Sequence, residues 1–400
     1  MYLTHLSLTN FRTFARLDLE MPRRVVLLVG DNAQGKTSLL EAIYFLATFT
    51  SFHAHSDRQL INFLAAREDL AVARLVADYQ RGPTAHHLEA RLILDASGGG
   101  GSRLRKEILL DGIKRSLTEV IGHFNAVIFL PQMSRIIEGG PEERRRYLNL
   151  ALSQTVPGYA QALSEYSQTL TQRNALLKML GERGGDSAQL EYWDQMLGQR
   201  AAKIILARIH AVQELERLAA HIHQDLTRSS EVLRLDYQPA YDPLEKPAGQ
   251  FSLPISTSID RSGITHDQIY QGFLKRLATL RGEEIARGVT TIGPHRDELR
   301  FLANGMDLGD FGSRGQVRTA LLSLKLAEVQ WMKQRTGQAP VLLLDEIMAE
   351  LDLHRRTDLL AALTESEQAV LTTTDMHLFD PAFAENAAVW HVQAGSVSHG

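Results

Sequence analysis

Gly30-Asp-Asn-Ala-Gln-Gly35-Lys36-Thr37 fits the pattern G-x-x-x-x-G-K-[ST], directly after the apolar run Val25 to Val29 and directly before a helical stretch from Ser38 to Phe49. A continuous apolar run is the pattern of a parallel strand buried on both faces. Strand, glycine loop and helix together aim successive backbone N–H groups and a helix N-terminus at phosphate oxygens. Gly30, Asp31, Asn32, Ala33, Gln34, Gly35, Lys36 and Thr37 are therefore expected to cradle ATP. Lys36 is placed to reach the β- and γ-phosphates, and the Thr37 hydroxyl to ligate magnesium. The complementary element waits until Val341-Leu-Leu-Leu-Asp345-Glu346, near the other end of the chain. Its apolar strand would deliver Asp345 to the magnesium, with Glu346 placed to polarise a water against the γ-phosphate. Any fold of this chain must bring its two ends together.

Composition narrows the setting. Lys plus Arg is 43 against 47 Asp plus Glu, a net charge of −4, so any DNA contact must use a local basic patch. The absence of cysteine excludes disulfides, zinc–thiolate sites and thiol nucleophiles, and fits a reducing cytosol. Met1 to Leu8 alternates and does not read as a signal peptide, and no apolar run approaches the ~18 residues needed to cross a bilayer. The expectation is a cytoplasmic protein with no membrane contact.

Leu3 to Leu8 reads as a strand with one buried face, and alternating segments around Ala71–Tyr79, Leu88–Leu94 and Ile108–Leu110 predict a β-rich flank. Gly98 to Gly101 reads as a hairpin tip, and Val127–Phe129 as a short buried strand. From Pro141 the pattern turns helical. Glu142 to about Leu180 and Gln189 to about Leu226 carry long periodicity, with Arg173 in the seam of the first and Leu197, Ala201, Ile204, Arg208, Ala211 and Leu215 spaced by fours and threes in the second. With Gly181 to Ser187 as the turn, this predicts a helical hairpin projecting roughly 55 Å from the body. Beyond it come a strand at Val232–Tyr237, a proline-rich loop from Asp242 to Pro254, a helix from Ile264 to Arg287, a turn at Gly293–Glu298, a hairpin at Asn304-Gly305, a helix from Arg318 to Arg335 and buried strands at Val341–Leu344 and Ala369–Thr374. The fold class expected is α/β, an ATPase head with a mixed sheet assembled from residues 1–140 and 231–400, with 141–230 inserted as a helical lobe or arm.

Ser313-Arg314-Gly315-Gln316 resembles the signature motif of ABC-type ATPases, and Glu350-Leu351-Asp352 follows the two acids at the spacing of their D-loop. Leu6-Ser-Leu8-Thr-Asn-Phe11-Arg12-Thr-Phe14 resembles the start of the SMC-like ATPases of DNA repair. Gly140-Pro-Glu-Glu-Arg144-Arg145-Arg146-Tyr147-Leu148, Gly293-Pro-His-Arg-Asp297, Ser313 to Glu328 and Thr372-Thr-Thr-Asp375 are similar to the RecF family of bacterial recombination mediators. The resemblance runs from Met1 to about Asp375. It implies an ATP-clamped homodimer, in which Ser313, Gly315 and Gln316 complete the site of a second subunit and Asp352 lies beside it. It further implies binding to single-stranded or gapped duplex DNA, action with RecO and RecR to load RecA at gaps, roles in DNA repair, replication and the SOS response, and slow ATP hydrolysis used as a switch. The family usually has Pro-Glu-Asp where this chain has Pro131-Gln132-Met133, and an acid where it has Asn149; Gln132 is then the Q-loop side chain. Thr374 or Asp375 takes the place of the switch histidine of transporter ATPases. That missing histidine argues against a transporter subunit, and the short helices argue against a structural chromosome organiser with long coiled coils.

Other residues carry two readings each. Arg144, Arg145 and Arg146 suit phosphate contact or structural ion pairs. Arg103, Arg105, Lys106, Lys114 and Arg115 flank the glycine run and suit either a DNA patch or a solvated face. Arg12 suits stacking beside the adenine or bracing of the first strand. His295, Arg296 and Asp297 suit a hydrogen-bonded turn or nucleotide sensing. His53/His55 and His221/His223 sit two apart, which on a helix does not share a face, so a metal site is not expected there.

Overall fold

The computed structural model describes residues 1–95, 102–244, 260–364 and 366–399, and the chain forms two compact units, Met1–Met133 with Glu328–Gly400, and Ser134–Ala327. The predicted glycine tip at Gly98–Gly101 and the proline-rich loop beyond Leu244 lie outside the described residues.

The first unit has two six-stranded sheets. One runs in the order Ser396–His399, Ala388–Gln393, Val25–Val29, Ala369–Thr373, Val341–Asp345, Ala126–Phe129, parallel throughout except for the antiparallel last hairpin. Its central strands are buried residue after residue, the reason their sequences are runs and not alternations. The other sheet is antiparallel, in the order Phe14–Glu20, Tyr2–Phe11, Leu70–Arg81, Thr84–Asp95, Arg103–Leu110, Ile113–Arg115. Leu3 and Leu6 are three apart yet both are wholly buried, because a register shift between Leu3 and His5 turns the strand by one residue. One core joins Leu6, Leu8, Phe11 and Phe14 with Leu39, Ile43 and Phe45 of the helix Lys36–Thr48 and with Val26, Leu28 and Leu343 of the parallel sheet. The phosphate-loop helix is thus packed between two sheets.

The second unit corrects the predicted arm. The first long helix is two, Pro141–Thr155 and Tyr159–Arg183, broken at Val156-Pro157-Gly158, where proline lacks the N–H a continuing helix needs. The hairpin of Tyr159–Arg183 with Leu190–Leu226 does not stand alone: the helix His266–Arg287 packs against both. The reason lies in the seam. Arg173 is fully buried, 2.7 Å from Asp194 and 2.7 Å from Glu284, and Glu284 comes from that third helix. A buried cation recruits a partner that a two-helix arm lacks. The helix predicted from Arg318 starts a turn earlier, at Arg314, because Ser313 Oγ accepts from the Gln316 N–H (3.3 Å) while Gln316 Oε1 accepts from the Ser313 N–H (3.0 Å). A three-stranded sheet in the order Met306–Asp307, Glu298–Ala303, Leu233–Gln238 completes the unit, turning at Asn304-Gly305 as predicted. Among the described residues, no helix is long and apolar enough to cross a membrane.

The Gly293–Asp297 turn belongs to the buried frame of this unit. Asp297 accepts from Arg208 Nη1 at 2.6 Å, from the Tyr237 hydroxyl and from the Ala240 N–H. His295 takes the Tyr166 hydroxyl at 2.7 Å on Nδ1 and sets Nε2 3.3 Å from the Thr290 carbonyl, a pattern suited to a neutral ring. Burial pushes its pKa down to about 4. The unfolded chain therefore binds the extra proton first as pH falls, and stability present above pH ~6.5 is lost as pH falls toward 4, by about 3 kcal/mol. Urea melts at pH 7.5 and 4 should show a smaller difference in His295→Gln than in the parent; equal differences would place that acid sensitivity elsewhere.

Candidate functional site

Parallel pairing brings the two chain ends together. The strand Ala369–Thr373 lies between Val25–Val29 and Val341–Asp345, with Thr373 beside Val29 and Thr372 beside Asp345, so the strands finish at one edge of the sheet. There Thr37 Oγ1 donates to Asp345 Oδ1 at 2.9 Å, with Oδ2 at 3.1 Å. Lys36 Nζ stands 3.2 Å from Glu346 Oε1 and donates to the carbonyls of Gly30 (2.5 Å) and Asp31 (3.0 Å). Lys36 is 5% exposed and Asp345 7%.

Thr372 was not singled out as a site residue from sequence, although it opens the Thr372–Asp375 run. Its hydroxyl donates to Asp345 Oδ1 at 2.8 Å and accepts from the Glu346 N–H at 3.0 Å. It thereby fixes both acids, and it helps to hold Glu346 in the left-handed region at φ 50°. Thr374 and Asp375 are exposed just past the same strand end, where Asp375 caps the next turn through the His377 N–H.

The loop demands its glycines. A Cβ on Gly30 would fall 2.3 Å from the Val392 carbonyl oxygen, and Gly35 has φ 112° with Thr13 Oγ1 at 3.0 Å from where a Cβ would sit. Asp31, Asn32 and Ala33 are exposed at the crest. Gln34 points the other way: its side-chain oxygen accepts from the Ala394 N–H at 2.7 Å. Of the two readings of Arg12, the brace is seen. Its guanidinium pairs both oxygens of the buried Glu41 at 2.6 and 2.7 Å and donates to the Gln59 carbonyl at 3.0 Å, tying the first hairpin to the phosphate-loop helix.

Gln132 is exposed in the turn after Ala126–Phe129. Asp352 caps the helix Leu353–Thr364 through the Arg355 N–H (3.0 Å), which together with the Arg355 guanidinium holds its carboxyl below the usual range. In the second unit Ser313 and Gly315 are exposed at their helix start, while the Gln316 amide donates to Glu231 at 2.9 Å.

Several basic residues are already committed. Arg144 pairs Glu298 at 2.6 and 2.9 Å and donates to the Ile137 and Gly139 carbonyls, and Arg145 donates to the Asp297 carbonyl, so for these two the structural reading holds. Lys106 pairs Asp57 at 2.9 Å, and Lys114 and Arg105 flank Glu107 at 2.8 and 3.4 Å, while Arg103 and Arg115 remain exposed. His223 is buried against Ser323 and Glu231 whereas His221 is exposed, and no cluster suited to a metal occurs among the described histidines and acids.

Comparison with known proteins agrees with this architecture. Residues 2–398 match the family model of the RecF/RecN/SMC N-terminal domain. The DNA replication and repair protein RecF of Roseiflexus castenholzii is 40% identical over 407 aligned positions, covering 99% of each chain. The solved structure of the recombination mediator protein RecF-ATP in RecFOR pathway superposes with a TM-score of 0.81 at 29% identity, covering 100% of this chain and 99% of that one. An Smc head bound to the C-winged helix domain of ScpA shares the fold, with a TM-score of 0.54 at 14% identity over 100% of this chain and 97% of that one. The chain belongs to the RecF family.

Proposed function

We propose that this chain is an ATP-controlled DNA-binding recombination mediator. The observation that carries the reading is the meeting of Lys36 and Thr37 with Asp345 and Glu346 at one sheet edge. Lys36 and the N–H groups of Gly30 to Thr37 take the phosphates. The Thr37 hydroxyl and the Asp345 carboxylate are hard oxygen donors already within 2.9 Å of each other, a set that suits magnesium. That ion, when bound, neutralises charge on the β- and γ-phosphates. Glu346, held beside Lys36, is the base that orients water, and hydrolysis resets the protein slowly. Gln132 follows the strand next to Val341–Asp345 and acts as the Q-loop residue. Ser313, Gly315, Gln316 and Asp352 serve the shared sites of an ATP-clamped homodimer, their exposed helix starts being suited to meet a phosphate or a second copy.

In this reading the dimer grips gapped duplex DNA and acts with RecO and RecR so that RecA loads on the adjoining single strand, in repair, replication and the SOS response. Light scattering after size exclusion, with and without ATP and a gapped duplex, tests it. A dimer mass and DNA retention should appear only with ATP; equal DNA binding without ATP would overturn the reading. Glu346→Gln should keep ATP-dependent DNA retention while turnover falls at least about a hundredfold, the low end of the range for losing a general base. Unchanged turnover would assign the base elsewhere.

A further inference from the structure

The geometry points to Gln34 as a positioning residue, through which the hairpin at the end of the chain sets the shape of the phosphate loop. The loop makes no ladder of its own, so something must hold its curl. At its start Gly30 lies against the Val392 carbonyl so closely that no side chain fits. At its crest Gln34 is gripped twice, its side-chain oxygen accepting from the Ala394 N–H (2.7 Å) and its backbone carbonyl from the Gly395 N–H (3.1 Å). Both donors belong to one two-residue turn, between Gln393 and Ser396, which pair across the hairpin.

That turn has φ of 48° at Ala394 and 75° at Gly395, the mirror-type turn that matches strand twist. Its two central N–H groups lie outside the hairpin ladder and are free to donate. An alanine in the left-handed region is unfavourable on its own. Donation to Gln34 offsets that strain, so the turn and the loop fix each other. The strand Ala388–Gln393 also pairs directly with Val25–Val29, the strand that leads into the loop. The Gln34 side chain acts away from the phosphates, while its N–H stays with the loop.

The inference rests on Gly30–Thr37 being the ATP site, and hydrogen exchange separates the two claims. Without nucleotide, Gln34→Met should speed exchange of the Ala394 amide in the full-length protein by about tenfold, the size of one lost hydrogen bond, whether or not ATP binds. Gln34→Glu keeps an acceptor at the same reach and should restore slow exchange. With Mg-ATP, the parent should show further slowing across residues 388–399, and Gln34→Met should lose that slowing even at saturating ATP while binding ATP about tenfold more weakly. Unchanged exchange in Gln34→Met, or weaker ATP binding with the hairpin still slowed by ATP, would overturn the proposal and leave Gln34 a direct ligand. A parent protein that fails to bind ATP would instead sink the site reading, with the nucleotide-free exchange still deciding the role of Gln34.

Discussion

Lys36→Met is expected to weaken ATP binding by a factor of about a hundred to a thousand and to remove ATP-dependent DNA retention with it. The Lys36 ammonium is nearly buried and donates to the Gly30 and Asp31 carbonyls beside the Glu346 carboxylate, so it enters the site on a fixed stem and not as a mobile surface charge. Methionine keeps the length and loses every donor. Each charge-assisted hydrogen bond to phosphate contributes roughly 1.5–3 kcal/mol, and two such bonds correspond to at least two decades of affinity. The substitution also leaves Glu346 facing the phosphates with its cation gone, which adds repulsion. The fold should survive, because the flanking strand and helix are held by Val26, Leu28, Leu39 and Ile43 in the apolar core and not by the lysine. Titration calorimetry with Mg-ATP, alongside a thermal melt, makes the test. Affinity within threefold of the parent, with an unchanged melt, would place the triphosphate elsewhere.

The parts of this site that could be read from sequence are those whose physics is local. Val25–Val29 and Val341–Asp345 announce themselves because strands buried on both faces need unbroken apolar runs, and a loop that wraps phosphate needs glycine where the backbone turns or closes in. What stayed hidden depends on which strand lies beside which. Thr372 matters only because parallel register sets it against Asp345, and nothing in the order of residues states that register. The hairpin Ala388–His399 carries no chemical motif, yet its turn holds Gln34 across a separation of 360 residues. The basic stretch from Arg103 to Arg115 looked like a candidate patch on charge alone. Pairing across its turn sets Leu109 opposite Lys114, which brings the lysine to Glu107, so part of that charge is offset by a neighbouring carboxylate although the lysine itself stays exposed. The helical periodicity is right in kind; the break at Pro157 is legible in the proline itself, whereas the docking of the third helix is not, since the partner of Arg173 lies over a hundred residues away in Glu284.

That arginine supplies the second large effect. Arg173→Met should destabilise the second unit by about 3–5 kcal/mol, the cost of stranding a buried charge. Arg173 is fully buried, holds Asp194 and Glu284 at 2.7 Å each, and donates to the Thr290 hydroxyl at 2.7 Å. The two acids are not left equal when it goes. Asp194 keeps Arg281 at 3.2 Å, whereas Glu284, itself wholly buried, keeps among the described residues the Thr291 N–H and hydroxyl on one oxygen. The damage should therefore concentrate on Glu284, and Arg173→Met combined with Glu284→Gln should regain more than half of what the single substitution loses. An intact network need not exceed an apolar seam in stability for this to hold, because desolvation offsets much of the attraction between buried ions while an unpaired one bears the penalty alone. Urea unfolding of the parent, both single variants and the double variant closes the cycle. A loss below about 1 kcal/mol in Arg173→Met would mean that water reaches Glu284 readily. The packing of Leu197, Ala201 and Ile204 would then hold the three helices together without their buried ions.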